Sequence, residues 1–194
     1  NCGATLGWWN HTCEDGYDKY SPENIEKDTR VLTSLVYRVA TARTLPYDFG
    51  EKLKDIQEKI LACRKQYGHL LSMEDMAENI ARVRADVAAI QSAREHLTGD
   101  QVPLFNAFLL QVARQLTNVF QSYADKYQQD SYGYSKLSKP IPLLADLERL
   151  ETLDPASMEY GMVETQLIKN KNRINDAFNT LLVLADAVKR VLLA

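Results

Sequence analysis

Residues 102–127 read VPLFNAFLLQVARQLTNVFQSYADKY, and this stretch decides the fold class. Its apolar side chains recur at steps of three and four residues, which places them on one face of an α-helix. They are Phe105, Phe108, Leu109, Val112, Leu116, Val119, Phe120 and Tyr123. The stretch is therefore predicted to be a long amphipathic helix that turns one face to a core.

Apolar residues recur at the same three- and four-residue steps in the sequence before and after this predicted helix. Ser21-Pro22-Glu23 combines a capping residue, a proline in the first helical position and an acid in the first turn, which is typical of a helix start. This helix is predicted to end at Leu45-Pro46, because proline cannot continue it. Further helices are predicted over about 49–67, over 72–99 with Ser72 as the cap, over about 143–150, and from Asp154-Pro155 onward.

Two of these helices carry stripes that are predicted to face the core. The stripe of the helix capped by Ser72 is Met76, Ile80, Val83, Val87, Ile90 and Leu97. The stripe of the last helix is Met158, Met162, Ile174, Phe178, Leu181, Leu182, Ala185 and Val188. The sequence thus predicts an all-α fold, a bundle of four long helices plus short helices, with a short non-helical segment at the N-terminus.

Composition excludes several classes of function. The chain has 194 residues and a net charge of −3, and it shows no basic patch of the kind that nucleic-acid binding requires. No apolar run approaches the roughly 20 residues that span a bilayer, and no signal segment is recognisable. Its three cysteines, Cys2, Cys13 and Cys63, do not form a disulfide framework. We therefore expect a soluble protein that has no membrane span and does not bind nucleic acid.

Two segments lack the helical spacing of apolar residues, and they contain the candidate functional residues. In residues 1–20, His11 lies beside Trp8 and Trp9 and is followed by acids such as Asp15, a pattern that suits a metal ligand or an ordinary surface loop. A zinc site needs three or four protein ligands, and one histidine does not supply them. In residues 128–142, two tyrosines and two lysines could bind an anionic group or belong to a solvated connection. The charged residues of the third helix, including Arg94, are predicted to be solvated.

The segment Trp8–Lys19 resembles the last metal-ligand segment of the zinc aminopeptidases that share a fold with glutamate carboxypeptidase. That segment has aromatic residues, His-Thr, an acid and then Asp-Lys, and a proline-started helix follows it. The similarity continues through 42–49, where the family also ends a helix in a Leu-Pro-aromatic-Asp turn. The later helices are similar in order to the dimerisation domain of the glutamate carboxypeptidase and transferrin-receptor group. That similarity rests on the Tyr/Lys/Pro loop in 128–142, on the short helix that ends in Asp146-Leu147-Glu148, on the helix start at Asp154-Pro155, and on five residues of the fourth helix. These five are Asn106, Leu109, Leu110, Arg114 and Leu116.

The resemblance implies two regions. Residues 1–20 would be the remnant of an α/β zinc peptidase domain, and residues 21–194 would be a helical C-terminal domain that supports homodimerisation and walls one side of the cleft. Enzymes of this kind hold two zinc ions, and only His11 corresponds to one of their ligands. The other ligands and the catalytic glutamate would precede Asn1, so the isolated chain is expected to bind no zinc and to be inactive.

The resemblance also implies a peptide substrate and a set of pocket residues. Trp8, Trp9, Asp15 and Tyr17 are candidates for the surroundings of His11, and Tyr132, Tyr134 and Lys136 are candidates for a substrate loop. The expected partner is the N-terminal catalytic portion. The alternative is a non-catalytic helical interaction or dimerisation module, because the transferrin-receptor branch of this group has lost its metals.

Overall fold

The structure is a computed structural model that describes residues 12–14, 16–19, 21–124 and 139–193. All regular elements in these ranges are helices, which confirms the predicted all-α class. The chain divides into two compact units, Asn1–Ala42 and Arg43–Ala194. The division after residue 20 expected from the family resemblance stays a prediction.

Unit 1 contains one turn of 3₁₀ helix, Tyr17–Lys19, and helix α1, Pro22–Thr41. The predicted start of α1 is confirmed, because the Ser21 hydroxyl accepts a hydrogen bond from the Asn24 amide at 3.3 Å. The helix ends before Leu45-Pro46, since Ala42 already has an extended backbone. No residue of α1 is buried.

Unit 2 is the bundle. Its long helices are α2, Gly50–Tyr67, α3, Glu74–Ser92, α4, Gln101–Phe120, and α6, Met158–Leu192. A short helix α5, Leu147–Thr152, follows a 3₁₀ turn at Pro142–Leu144. The 35-residue α6 packs against both α3 and α4, and α2 packs against α3. Unit 2 therefore contains four long helices, and α1 of unit 1 is a fifth long helix among the described residues.

The centre of the bundle is apolar. Phe105 on α4 and Phe178 on α6 are fully buried, and the Phe178 ring stacks on Phe120 with 5.9 Å between centroids. Asn170 on α6 is also buried, and its Nδ2 donates to the carbonyl of Leu143 at 2.7 Å. This hydrogen bond fixes the 3₁₀ turn that precedes α5 to the longest helix, and it satisfies a carbonyl that has little access to water.

Several predicted helix ends differ from the structure. Met73, not Ser72, is the residue before α3, and no side chain caps that helix. The α3 helix stops at Ser92, and a 3₁₀ turn at Arg94–His96 carries the chain on to Leu97, which is nevertheless buried. Helix α4 ends at Phe120, well before the predicted end at Tyr127. Helix ends depend on local hydrogen bonds that an apolar period does not encode.

One prediction about the core is wrong. Met158 and Met162 were expected to face inward, but they are 84% and 68% exposed. They lie in the first turns of α6, before Val163, which is the first buried residue of that helix. The remainder of the predicted stripe is buried, which confirms Ile174, Phe178, Leu181, Leu182, Ala185 and Val188.

Candidate functional site

The structure describes only one of the site residues predicted from the sequence. Tyr17 lies in the 3₁₀ turn of unit 1, and its side chain is 93% exposed. The others lie outside the described residues, so the zinc-ligand role of His11 and the substrate-loop role stay predictions. These residues are Trp8, Trp9, His11, Asp15, Tyr132, Tyr134 and Lys136.

The described residues next to His11 form a short turn. The Glu14 amide donates to the hydroxyl of Thr12 at 3.2 Å, and the thiol of Cys13 is exposed and free. In ranges 12–14, 16–19, 21–124 and 139–193, no group of three or more His, Cys, Asp or Glu side chains could hold a metal ion. A complete zinc site is therefore not present among the residues that the structure describes.

An amide side chain holds the first part of the segment after α1. We call residues 43–49 the junction segment. Asn106 on α4 donates from Nδ2 to the carbonyl of Arg43 at 3.1 Å and accepts at Oδ1 from the amide of Leu45 at 2.8 Å. The oxygen and the nitrogen of the Asn106 side chain thus both form hydrogen bonds with the backbone of the junction segment. The sequence placed the Leu-Pro turn and Asn106 in separate motifs, and the fold brings them together.

Two further side chains hold the same segment, one from the last turns of α3 and one from the 3₁₀ turn that follows it. Gln91 donates to the carbonyl of Tyr47 at 2.9 Å and accepts from the amide of Phe49 at 3.3 Å. Arg94 donates to the Tyr47 carbonyl, and its guanidinium lies 5.6 Å from the ring centroid of Phe105. Arg94 was predicted to be solvated, so that prediction is wrong. Its partners are far away in sequence, and no local pattern could identify them.

Helix α1 presents an apolar face that unit 1 does not cover. The helix has no buried residue, and five aliphatic side chains and one tyrosine are each at least 46% exposed. They are Ile25, Val31, Leu32, Leu35, Val36 and Tyr37. The five aliphatic side chains share one face of the helix, and Tyr37 lies outside it. A contiguous apolar face of this kind marks an interaction surface.

Unit 2 contains a cavity of about 430 Å³ between α2 and the segment from Lys139 to Glu148. The floor consists of Ile141, Leu144 and Leu147, all of which are almost completely buried. The rim holds ion pairs, among them Lys139 with Glu148 at 2.8 Å. The volume is within the range of small-molecule pockets.

One wall of this cavity carries the half-buried thiol of Cys63. Burial raises the pKa of this thiol from its ordinary value of 9.0 to about 11, because a thiolate would lose its hydration there. The contribution of Cys63 to stability is therefore complete below pH 9, and it is lost as the pH rises toward 11.

We expect Cys63 to react slowly with iodoacetamide. The thiolate is the reacting species, so at pH 8 the native chain should be alkylated at Cys63 about 10- to 100-fold more slowly than the unfolded chain. Mass spectrometry of the peptide that contains Cys63 measures both rates, and exposed Cys13 in the same sample reports the activity of the reagent. Equal rates at Cys63 in the native and unfolded chains would contradict the assignment of a desolvated thiol.

Comparison with protein-family models, curated proteins and solved structures gives no match. The resemblance to zinc exopeptidases thus stays a prediction from the sequence. Within the described ranges, no helix is both long enough and apolar enough to cross a membrane.

Proposed function

We propose that this chain is the C-terminal region of a zinc-dependent exopeptidase, an aminopeptidase or a carboxypeptidase-like enzyme. In this proposal, His11 is the last zinc ligand, and the bundle supports a homodimer and walls one side of the substrate cleft. The other ligands of the two zinc ions come from the catalytic portion that the resemblance places before Asn1. Zinc in such a site activates a water molecule and polarises the peptide carbonyl.

The observation that carries this proposal is the exposed face of α1. An isolated helix gains little from its own hydrogen bonds, so a helix in a protein is stabilised mainly by burial of its apolar face. The sequence gives α1 such a face, and Val31, Leu32 and Val36 on it are each at least 60% exposed. Since the resemblance places α1 directly after the metal-ligand segment, the catalytic portion is the surface expected to cover it.

The junction segment supports the same proposal. The family resemblance relies on the Leu-Pro turn in 42–49 and on Asn106, and these two features share two hydrogen bonds in the fold. Exposed apolar side chains on α6, including Met162 and Val183, offer surface that a second copy could cover in a homodimer.

The test compares the chain alone with the longer protein that contains the catalytic portion. With added zinc, the chain alone is expected to hydrolyse no peptide, and the longer protein is expected to show turnover that a chelator abolishes. In the longer protein, His11→Ala should lower kcat/KM by at least about 100-fold, because even a change in the surroundings of a metal ligand costs 10- to 100-fold.

His69→Ala and His96→Ala are the matched controls, since both histidines are exposed and neither is assigned a role at the metals. They should leave kcat/KM unchanged. Turnover by the chain alone that scales with its concentration and disappears with chelator would contradict the division of ligands proposed here. A longer protein that forms a stable dimer, but has no zinc-dependent turnover, would overturn the enzyme proposal and favour the non-catalytic module.

A further inference from the structure

The cavity in unit 2 contains a hydrogen-bond donor that the fold leaves available. The side chain of Tyr67 lines the cavity, and the residue is only 8% exposed. Its hydroxyl oxygen accepts a hydrogen bond from Nε2 of Gln66 at 2.8 Å. The hydroxyl proton has no acceptor among the residues that the structure describes. A ligand in the cavity that supplies an acceptor could therefore form one additional hydrogen bond with this hydroxyl.

The surroundings keep this hydroxyl protonated. Burial, followed by the nearby carboxylates of Glu148 and Glu151, raises the pKa of Tyr67 above its ordinary value of 10.0. The group therefore remains a donor at neutral pH and throughout the mildly alkaline range.

The charges around the cavity disfavour an anionic ligand. The lining contains two ammonium groups, and each already has a carboxylate partner: Lys59 pairs with Asp55 at 2.8 Å, and Lys139 pairs with Glu148 at 2.8 Å. Glu58 adds a further carboxylate, so the lining has a net negative charge. An anion would have to displace a carboxylate from a lysine, whereas a neutral molecule leaves both pairs in place.

We propose that this cavity binds a neutral, largely apolar small molecule that carries a carbonyl oxygen. The apolar body would pack on Ile141, Leu144 and Leu147, and the carbonyl oxygen would accept the free hydrogen bond of Tyr67. This assignment is independent of the zinc exopeptidase proposal, because no residue of the cavity is assigned to the metals or to the peptide cleft.

The test uses the full chain and prodan, a neutral naphthyl ketone dye whose emission shifts to the blue in an apolar environment. We expect saturable binding with one dye per chain. The anionic dye 8-anilinonaphthalene-1-sulfonate should bind more weakly. Tyr67→Phe should weaken prodan binding by about 3- to 10-fold, the effect of one lost hydrogen bond.

Two tryptophan variants locate the bound dye. Ala62 is exposed and lines the cavity, so Ala62→Trp places a large ring at its mouth and should abolish saturable binding. Ala88 is exposed on α3 and does not line the cavity, so Ala88→Trp should bind prodan like the unmodified chain. Circular dichroism checks that each variant is folded. Binding that does not saturate, or that survives both Ala62→Trp and Tyr67→Phe unchanged, would overturn the proposal.

Discussion

Replacing Phe178 with alanine should lower the free energy of unfolding by about 3–5 kcal/mol, the usual cost of removing a buried phenylalanine ring. Phe178 is fully buried on α6 and stacks on Phe120 of α4. Because α6 also packs against α3, a cavity at this position removes contacts at the centre of the bundle. This is the largest effect that we expect from a single substitution in the core.

Urea unfolding followed by circular dichroism measures the change. Leu110→Ala is the control, because Leu110 lies on the same helix as Phe120 but is 50% exposed. The control should change the free energy of unfolding by about 0.5 kcal/mol or less, as surface substitutions usually do. If Phe178→Ala and Leu110→Ala had equal effects, α6 would not be the centre of the core.

Replacing Asn106 with alanine should loosen the junction segment around Leu45. The amide of Leu45 would lose its acceptor at 2.8 Å, and the carbonyl of Arg43 would lose its donor at 3.1 Å. Loss of a hydrogen-bond partner inside a protein costs about 1–3 kcal/mol. We therefore expect the Leu45 amide to exchange its hydrogen about 5- to 150-fold faster in the variant, since exchange follows the free energy of local opening.

Hydrogen exchange measured by NMR on the native chain gives this rate for individual amides. The control is Asn172→Ala, because Asn172 is exposed on α6 and removing its amide should not alter exchange at Leu45. The amide of Ala77 is a reference within the same measurement, since it donates to the carbonyl of Met73 at 3.0 Å, outside the junction segment, and should stay protected. Unchanged exchange at Leu45 in Asn106→Ala would show that Asn106 does not hold the junction segment.

Much of the helical architecture could be predicted because helix positions depend on interactions between residues close in sequence. The start of α1 at Ser21-Pro22 depends on a cap between residues close in sequence, and the cap is present. The end of α2 at Gly68 is also local: a Cβ there would lie 2.5 Å from the carbonyl oxygen of Arg64, so only glycine fits. Short-range hydrogen bonds and steric limits of this kind operate before any tertiary contact forms.

The wrong predictions concern residues whose local sequence pattern is compatible with either a buried or an exposed side chain. Met158 and Met162 are apolar and lie on the same helix as the core stripe, but at 100° per residue they fall on a different face of α6 from Val163 and the buried residues after it. Arg94 is charged, as solvated residues usually are. Only the fold brings the Tyr47 carbonyl and the Phe105 ring into contact with its guanidinium. Sequence periodicity identifies one face of a helix, but it does not identify what lies opposite that face.

The candidate functional residues also fall into two groups: those that the sequence suggested and those that only the fold brings together. His11 and its aromatic neighbours could be proposed only from resemblance, and their roles stay predictions. The cavity beside Tyr67 had no signal in the sequence, because its two walls, 55–67 and 139–148, are far apart in the chain. Cys63 and Tyr67 have unremarkable neighbours in sequence, and burial in the fold is the main cause that raises the pKa of each.

The sequence by itself determined that this chain is helical, where most of its helices lie, and which face of the bundle helices is apolar, because three- and four-residue spacing acts through local backbone geometry. Only the tertiary structure decided that Asn106 and Gln91 hold the junction segment and that α2 and the segment before α5 enclose a cavity. These features depend on which surfaces meet, and residues distant in the chain meet only after the bundle has packed.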